Sequence, residues 1–146
     1  MNKEKRIWIA LFLAITLMLI FSGCSGLPKT AKLNISIEPN PVPYFSEDGR
    51  WYFAMSISES NGVGISIASL TFSYYDQEDQ LIGTQVLGVS EFLEWFEANY
   101  IPAFSMIQCG SISNSMAVKY AIITVEGVDD KDNPIEATER VDYLPQ

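Results

Sequence analysis

W-Y-F-A-M-S-I-S at residues 51–58, N-G at 61–62 and I-S-I-A-S-L-T-F-S-Y at 65–74 decide how this chain folds. In the first run Trp51, Phe53, Met55 and Ile57 alternate with Tyr52, Ala54, Ser56 and Ser58. Successive side chains of a strand point to opposite faces, so the run reads as a half-buried strand. Asn61-Gly62 is a hairpin turn signal, and 65–74 is then the returning strand. In that run Ile65 and Ile67 hold odd positions, whereas Leu70, Phe72 and Tyr74 hold even ones. A change of parity needs an extra residue. The spacing therefore predicts either a bulge at Ala68-Ser69 or a strand that leaves one sheet there and joins another.

The same alternation extends outward in both directions. Upstream, Leu33, Ile35 and Ile37 face one way, and Pro39, Pro41 and Pro43 then end the run, as suits an outer strand. Residues 46–50 form a turn. Downstream come an acidic turn at 76–80, a short strand at 81–89, and a change to helical spacing over 90–100. There Phe92, Trp95, Phe96 and Tyr100 share a stripe, with Ser90 as the expected N-cap and Glu91 suited to the helix dipole. Further strands are expected at 104–109, before a Gly/Ser-rich loop, and at 117–126, whose apolar middle suits a central strand. A second acidic turn at 127–133 leads to a last strand at 134–144 with Ile135, Ala137, Val141 and Tyr143 inward. The expected fold is all-β, an antiparallel sandwich of about seven strands with one short helix at about 90–100.

Two of these segments carry a family likeness. W-x-F-x-M-x-I-x-E followed by N-G-V-G-I-S-I resembles the early strands of bacterial immunoglobulin-like domains, and G-V-D-D-K-D-N-P-I-x-A-T is similar to their closing hairpin. The resemblance, of immunoglobulin or fibronectin III type, covers most of 32–144 and implies a sandwich without implying an activity. The helix at 90–100 departs from a plain sandwich, and the Cys…Trp…Cys core of antibody domains is absent.

Residues 1–24 have a different grammar. Lys3, Lys5 and Arg6 precede an apolar run over 7–21 interrupted only by Thr16, and Phe21-Ser22-Gly23-Cys24 closes it. This is the layout of a secretory signal, and the run is short for a membrane span of about 20 residues. Small residues directly before a cysteine resemble the lipobox of bacterial lipoproteins. That resemblance implies a signal helix and signal peptide at 1–23, cleavage before Cys24, diacylglycerol on the Cys24 sulfur and an N-acyl chain on the new amino terminus. It also implies a protein held at the cell membrane, facing away from the cytoplasm. Ser25 is not the aspartate of an inner-membrane retention signal, which favours the outer membrane in a cell that has one. Residues 24–31 are then a tether and 32–146 the domain.

Charge and residue usage narrow the function. The whole chain carries −9 and residues 1–23 carry +2, which leaves −11 beyond the signal. Nucleic acid is not an expected partner of so acidic a domain. Attachment to a membrane then rests on acyl chains. There is no histidine, so Cys109 lacks the usual activating partner and is expected to be a small buried hydrophobe. No nucleophile elbow or phosphate loop is present, and an enzyme is not expected.

Two groups of candidate site residues remain. Asp129, Asp130, Asp132 and Asn133 offer hard oxygens in one loop, a chemistry suited to Ca²⁺, although Asp and Asn also populate solvated turns. Asp76, Glu78 and Asp79 form a comparable cluster. Tyr52 and Tyr75 are expected to point outward on neighbouring strands, and Trp95 either packs on the core or forms an apolar wedge for a partner. No other cofactor is expected. The leading expectation is a lipid-anchored envelope module that binds a protein partner. The alternatives are recognition of a small ligand, peptide or carbohydrate by the aromatics and acidic loops, and hydrolysis by a carboxylate pair.

Overall fold

A computed structural model describes residues 29–145; the signal helix and Cys24 lie outside them. Nine antiparallel strands and one helix follow in the order β1 (Leu33–Glu38), β2 (Tyr44–Phe45), β3 (Arg50–Glu59), β4 (Ile65–Tyr75), β5 (Leu81–Leu87), α1 (Val89–Phe96), β6 (Tyr100–Ile101), β7 (Met106–Asn114), β8 (Tyr120–Asp129) and β9 (Pro134–Asp142). Seven of the strands are longer than two residues. In one sheet β3 is central, flanked by β1 and β2 on one side and β7 on the other. The other sheet runs β5-β4-β8-β9, with β6 also paired to β4.

The alternation read from the sequence builds the core between these sheets. Trp51, Phe53, Met55 and Ile57 all face inward and are buried. They meet Ile65, Ile67, Leu70 and Phe72 of β4 and Ala121, Ile123 and Val125 of β8. Cys109 is buried among them, and burial pushes its thiol pKa up. This is an immunoglobulin-like β-sandwich.

Asn61-Gly62 does not close a hairpin. Both hydrogen-bonding edges of β3 are already occupied, by β1 and β7, so β4 cannot add there and the chain crosses to the other sheet. Gly62 still uses the positive φ that its place in the motif suggested, at +83°. The parity switch is a bulge: the β4–β8 register slips between Ile67 and Ser69, leaving Ala68 unopposed. The bulge rotates β4 so that Ile67 and Leu70 both reach the core.

Gly127 lies opposite Ile67 at this bulge. A Cβ there would strike the Ser66 carbonyl oxygen and meet Ile65 Cγ2 and Ile67 Cα at 3.2 Å. Backbone cannot swing aside as a side-chain tip can. Gly127→Ala is therefore expected to cost about 2 kcal/mol, in the range for overpacking a closed site. Urea unfolding measures it, and a neutral result would mean that β4 and β8 part freely at the bulge.

Several boundaries differ from the sequence reading: besides shifts of two or three residues at the ends of β5, β8 and β9, three differences bear on the packing. The helix is Val89–Phe96, shorter than 90–100; Gly88 is its N-cap, without a side-chain cap, and Ser90 lies in the first turn. Glu97 in the left-handed region (φ 61°) ends it, its N–H donating to the Leu93 carbonyl at 2.9 Å. Tyr100 leaves the helix because β6 must pair with Ile65 and Ser66. The Gly/Ser-rich stretch belongs to β7, where Gly110 and Ser111 together oppose Ala54 as a second bulge. The domain also begins before residue 32: Ala31 is buried and its N–H donates to Asp129 Oδ2 at 3.1 Å.

Candidate functional site

The acidic β8–β9 turn is built around one inward-turned carboxylate. Asp129 accepts hydrogen bonds from the backbone N–H of Ala31, Lys131 and Asn133 and from Asn133 Nδ2. Burial works to raise its pKa, but these donors outweigh burial and leave it at about 2. Asp130 accepts from the Tyr100 hydroxyl at 3.0 Å. Asp132 has φ of 60°, a turn conformation. Asn133 spends its amide on Asp129. The other acidic turn is similar: Asp76 accepts from the N–H of Glu78 and Gln80, and Asp79 pairs with Lys119. Among the described residues no three His, Cys, Asp or Glu side chains are placed to hold one metal ion. Of the four oxygen-bearing residues, Asp129 and Asn133 are bonded to each other, and Asp130 is bonded to Tyr100.

The aromatic candidates are dispersed as well. Tyr52 lies on the outer face of β3 and Tyr75 on β4, in different sheets, so they form no common patch. The reason is the crossing at residues 60–64, which separates β3 from β4. The Tyr52 hydroxyl donates to Asp48, which raises its pKa, and Phe45 meets its ring edge-on. Tyr75 stacks on Tyr120 with ring centroids 4.7 Å apart, and Arg140, held by Asp142, caps Tyr120 at 3.8 Å. These rings brace the outer faces of their sheets. Of the two arrangements expected for Trp95 the structure shows core packing: its ring lies against Phe72 and is partly buried, beside Glu94.

What the sequence reading missed is the edge made by β5 and α1. Among the described residues β5 hydrogen-bonds only to β4, which leaves its other edge unpaired. Natural sheet edges are usually guarded by charge, proline, a bulge or cover. The chain guards three edges in these ways: β1 runs into prolines, β7 carries its bulge, and β9 bears Glu136, Glu139 and Arg140. L-I-G-T-Q-V-L of β5 has neither charge nor proline, and its only interruption is a bulge near its start, where Ile82 has no partner on β4. Leu81, Ile82 and Val86 are 57%, 48% and 62% exposed, and Val89 and Leu93 of α1 are exposed beside them. Between α1 and β7 a groove of about 440 Å³ opens, lined by Glu94, Trp95 and Cys109 through Ser113. Acids bracket the edge, with Asp76, Glu78 and Asp79 before β5 and Glu91 and Glu94 after it.

The fold and this edge define a class, an immunoglobulin-like β-sandwich module with an open edge strand. Within that class, no protein-family model matches the chain and no curated protein sequence matches it. Solved structures do resemble it. A candidate ApaA protein from Bordetella pertussis is 13% identical, with 81% of this chain and 98% of that one covered and a TM-score of 0.49. The CARDB domain of a Pyrococcus furiosus protein, solved in complex with di-metal ions, is 10% identical over 80% and 96%, at 0.42. A GH20 exo-β-N-acetylglucosaminidase from Vibrio harveyi is 16% identical over 80% of this chain but only 18% of its own, at 0.40. Likeness at this level concerns architecture and carries no activity across.

Proposed function

We propose that the chain is a non-enzymatic, lipid-anchored module of the cell envelope that holds a protein partner along the β5 edge. The observation that carries the reading is the edge strand itself, unpaired on its outer side and without charge or proline, its one irregularity the bulge at Ile82. An extended segment can add to such an edge through main-chain hydrogen bonds, while Ile82 and Val86 contribute apolar contact. Its acidic ends suit a partner segment with an apolar middle and basic flanks. Absence of histidine supports a role without catalysis, as does the commitment of the two depressed carboxylates, Glu59 and Asp129, to backbone donors. Among the described residues no helix is long and apolar enough to cross a membrane. Attachment in this reading rests on Cys24.

Two measurements on the full chain in bacterial cells test it. A clickable fatty acid should label the wild type and leave Cys24→Ala unlabelled and released from the membrane fraction. Label on Cys24→Ala, or none on the wild type, would reject the anchor. A photo-cross-linking residue at Val86 should give a discrete adduct that is lost with Thr84→Pro, whereas the same residue at Thr138 on β9 should give none. Equal patterns at both positions would reject the edge.

A further inference from the structure

The end of the sandwich from which the chain leads back toward Cys24 has features that the edge strand does not explain. Phe104 is 71% exposed, more than any other large apolar residue among those described. It also adopts φ of 57°, a left-handed conformation that is an outlier for an aromatic residue. Strain of that kind persists only where the surroundings impose it. Here Glu59 accepts the Phe104 N–H at 3.0 Å, and the ring lies over Gly62, where a Cβ would sit 2.6 Å from Phe104 Cζ. The loop 102–105 is thus pinned with its ring turned outward. Met106 and Tyr100, 58% and 43% exposed, flank it.

Exposed lysines gather at this end of an otherwise acidic domain. Six Lys and Arg residues follow Cys24, and three of them, Lys29, Lys32 and Lys131, are here and exposed. Lys131 Nζ donates to the Lys29 carbonyl at 2.6 Å, tying the entering chain to the β8–β9 turn. Of the four acids nearby, Glu59 and Asp129 are buried and engaged, which leaves Asp130 and Asp132 outward. Lys29 comes only five positions after Cys24, a reach of at most roughly 18 Å.

From these observations we infer that residues 102–106, with the three lysines, form a membrane-docking tip, in which the Phe104 ring enters the headgroup region of the bilayer carrying the Cys24 lipid. The inference rests on the lipid-anchor reading above. Aromatic rings favour the bilayer interface, and lysines beside them meet phosphate. Docking here would fix the sandwich upright, with the far turns at residues 46–50 and 76–80 furthest from the lipid.

The test uses the full acylated chain reconstituted in phosphatidylethanolamine/phosphatidylglycerol vesicles, with acylation verified by the mass of the amino-terminal peptide. A polarity-sensitive fluorophore is placed through Phe104→Cys or Gln77→Cys in a Cys109→Ala background. The label at 104 should shift to the blue and be quenched several-fold more by spin-labelled lipid than the label at 77. Because the label alters the loop, hydrogen exchange on the unlabelled chain gives a second reading: amides of 102–105 should slow on vesicles and those of 76–80 should not. Equal behaviour of the two sites in acylated, vesicle-bound protein would overturn the tip and leave the anchor standing. Absence of acylation would overturn both.

Discussion

Replacing Glu59 by alanine is expected to destabilise the domain by about 4 kcal/mol, the size associated with breaking a buried charged hydrogen-bonding centre. Glu59 is 2% exposed, and its carboxylate accepts four backbone N–H groups: Lys32 at 3.1 Å, Asn61 at 2.7 Å, Gly62 at 2.8 Å and Phe104 at 3.0 Å. These donors belong to three separate segments, the entry to β1, the crossing from β3 to β4, and the loop before β7. Alanine would leave four part-buried donors without acceptors, and at this domain size the thermal midpoint should fall by on the order of 15 °C. Glu59→Gln keeps one acceptor oxygen but turns an NH₂ toward two donors, so it should cost about half as much.

The same carboxylate predicts how stability depends on pH. Burial works to raise the pKa of Glu59, but the N–H groups of Phe104, Asn61, Lys32 and Gly62 outweigh it and lower the pKa from 4.5 to about 2. A depressed carboxylate contributes stability that is complete above its unfolded pKa and is lost as pH falls through the folded one. Asp129, lowered from 3.8 to about 2, adds to the loss in the same window. Stability should therefore decline between about pH 4.5 and pH 2, and less steeply in Glu59→Ala. Unfolding curves at stepped pH check this; parallel profiles for wild type and variant would show that Glu59 does not carry the effect.

How far such features are legible in the sequence depends on the kind of interaction. Period-two alternation marked Trp51, Phe53, Met55 and Ile57 as core because burial acts on each strand separately. The bulge at Ala68 was legible for the same reason: the parity of buried residues records it. Pairing was harder to read. Asn61-Gly62 marks a tight reversal, but whether the chain returns beside β3 or crosses over depends on who already occupies its edges. Those occupants, β1 and β7, are distant in sequence. The type and neighbours of Asp129 are visible in the sequence and suggest a ligand, while the inward turn of its carboxylate is not visible there. Glu59 is invisible in the sequence, a single acid at a strand end whose four donors come from sites up to 45 residues away. The open edge of β5 was hidden too, since exposure on both faces is a property of the assembled sheets.

At the other end of β3, Trp51→Ala should cost about 4 kcal/mol, as large aromatic truncations in closed cores do. Trp51 is 1% exposed, with Tyr44 at a centroid distance of 4.7 Å and Tyr143 edge-on at 6.0 Å. Its role exceeds filling space. The indole Nε1–H donates to the Leu144 carbonyl at 2.9 Å, and Leu144 N–H in turn donates to Val42 at 2.9 Å. The segment after β9 is thereby held beside the segment before β2. Trp51→Phe separates the two contributions: it keeps most of the ring volume and removes the donor, for about 1.5 kcal/mol. Hydrogen exchange distinguishes the outcomes. If the indole bond holds the chain end, the amides of Tyr143 and Leu144 should exchange faster in Trp51→Phe while those of β4 and β8 change little. If all four segments accelerate together, the indole contributes only through packing, and the end of the chain is held by Val42 and Lys119 alone, whose carbonyls accept those two amides.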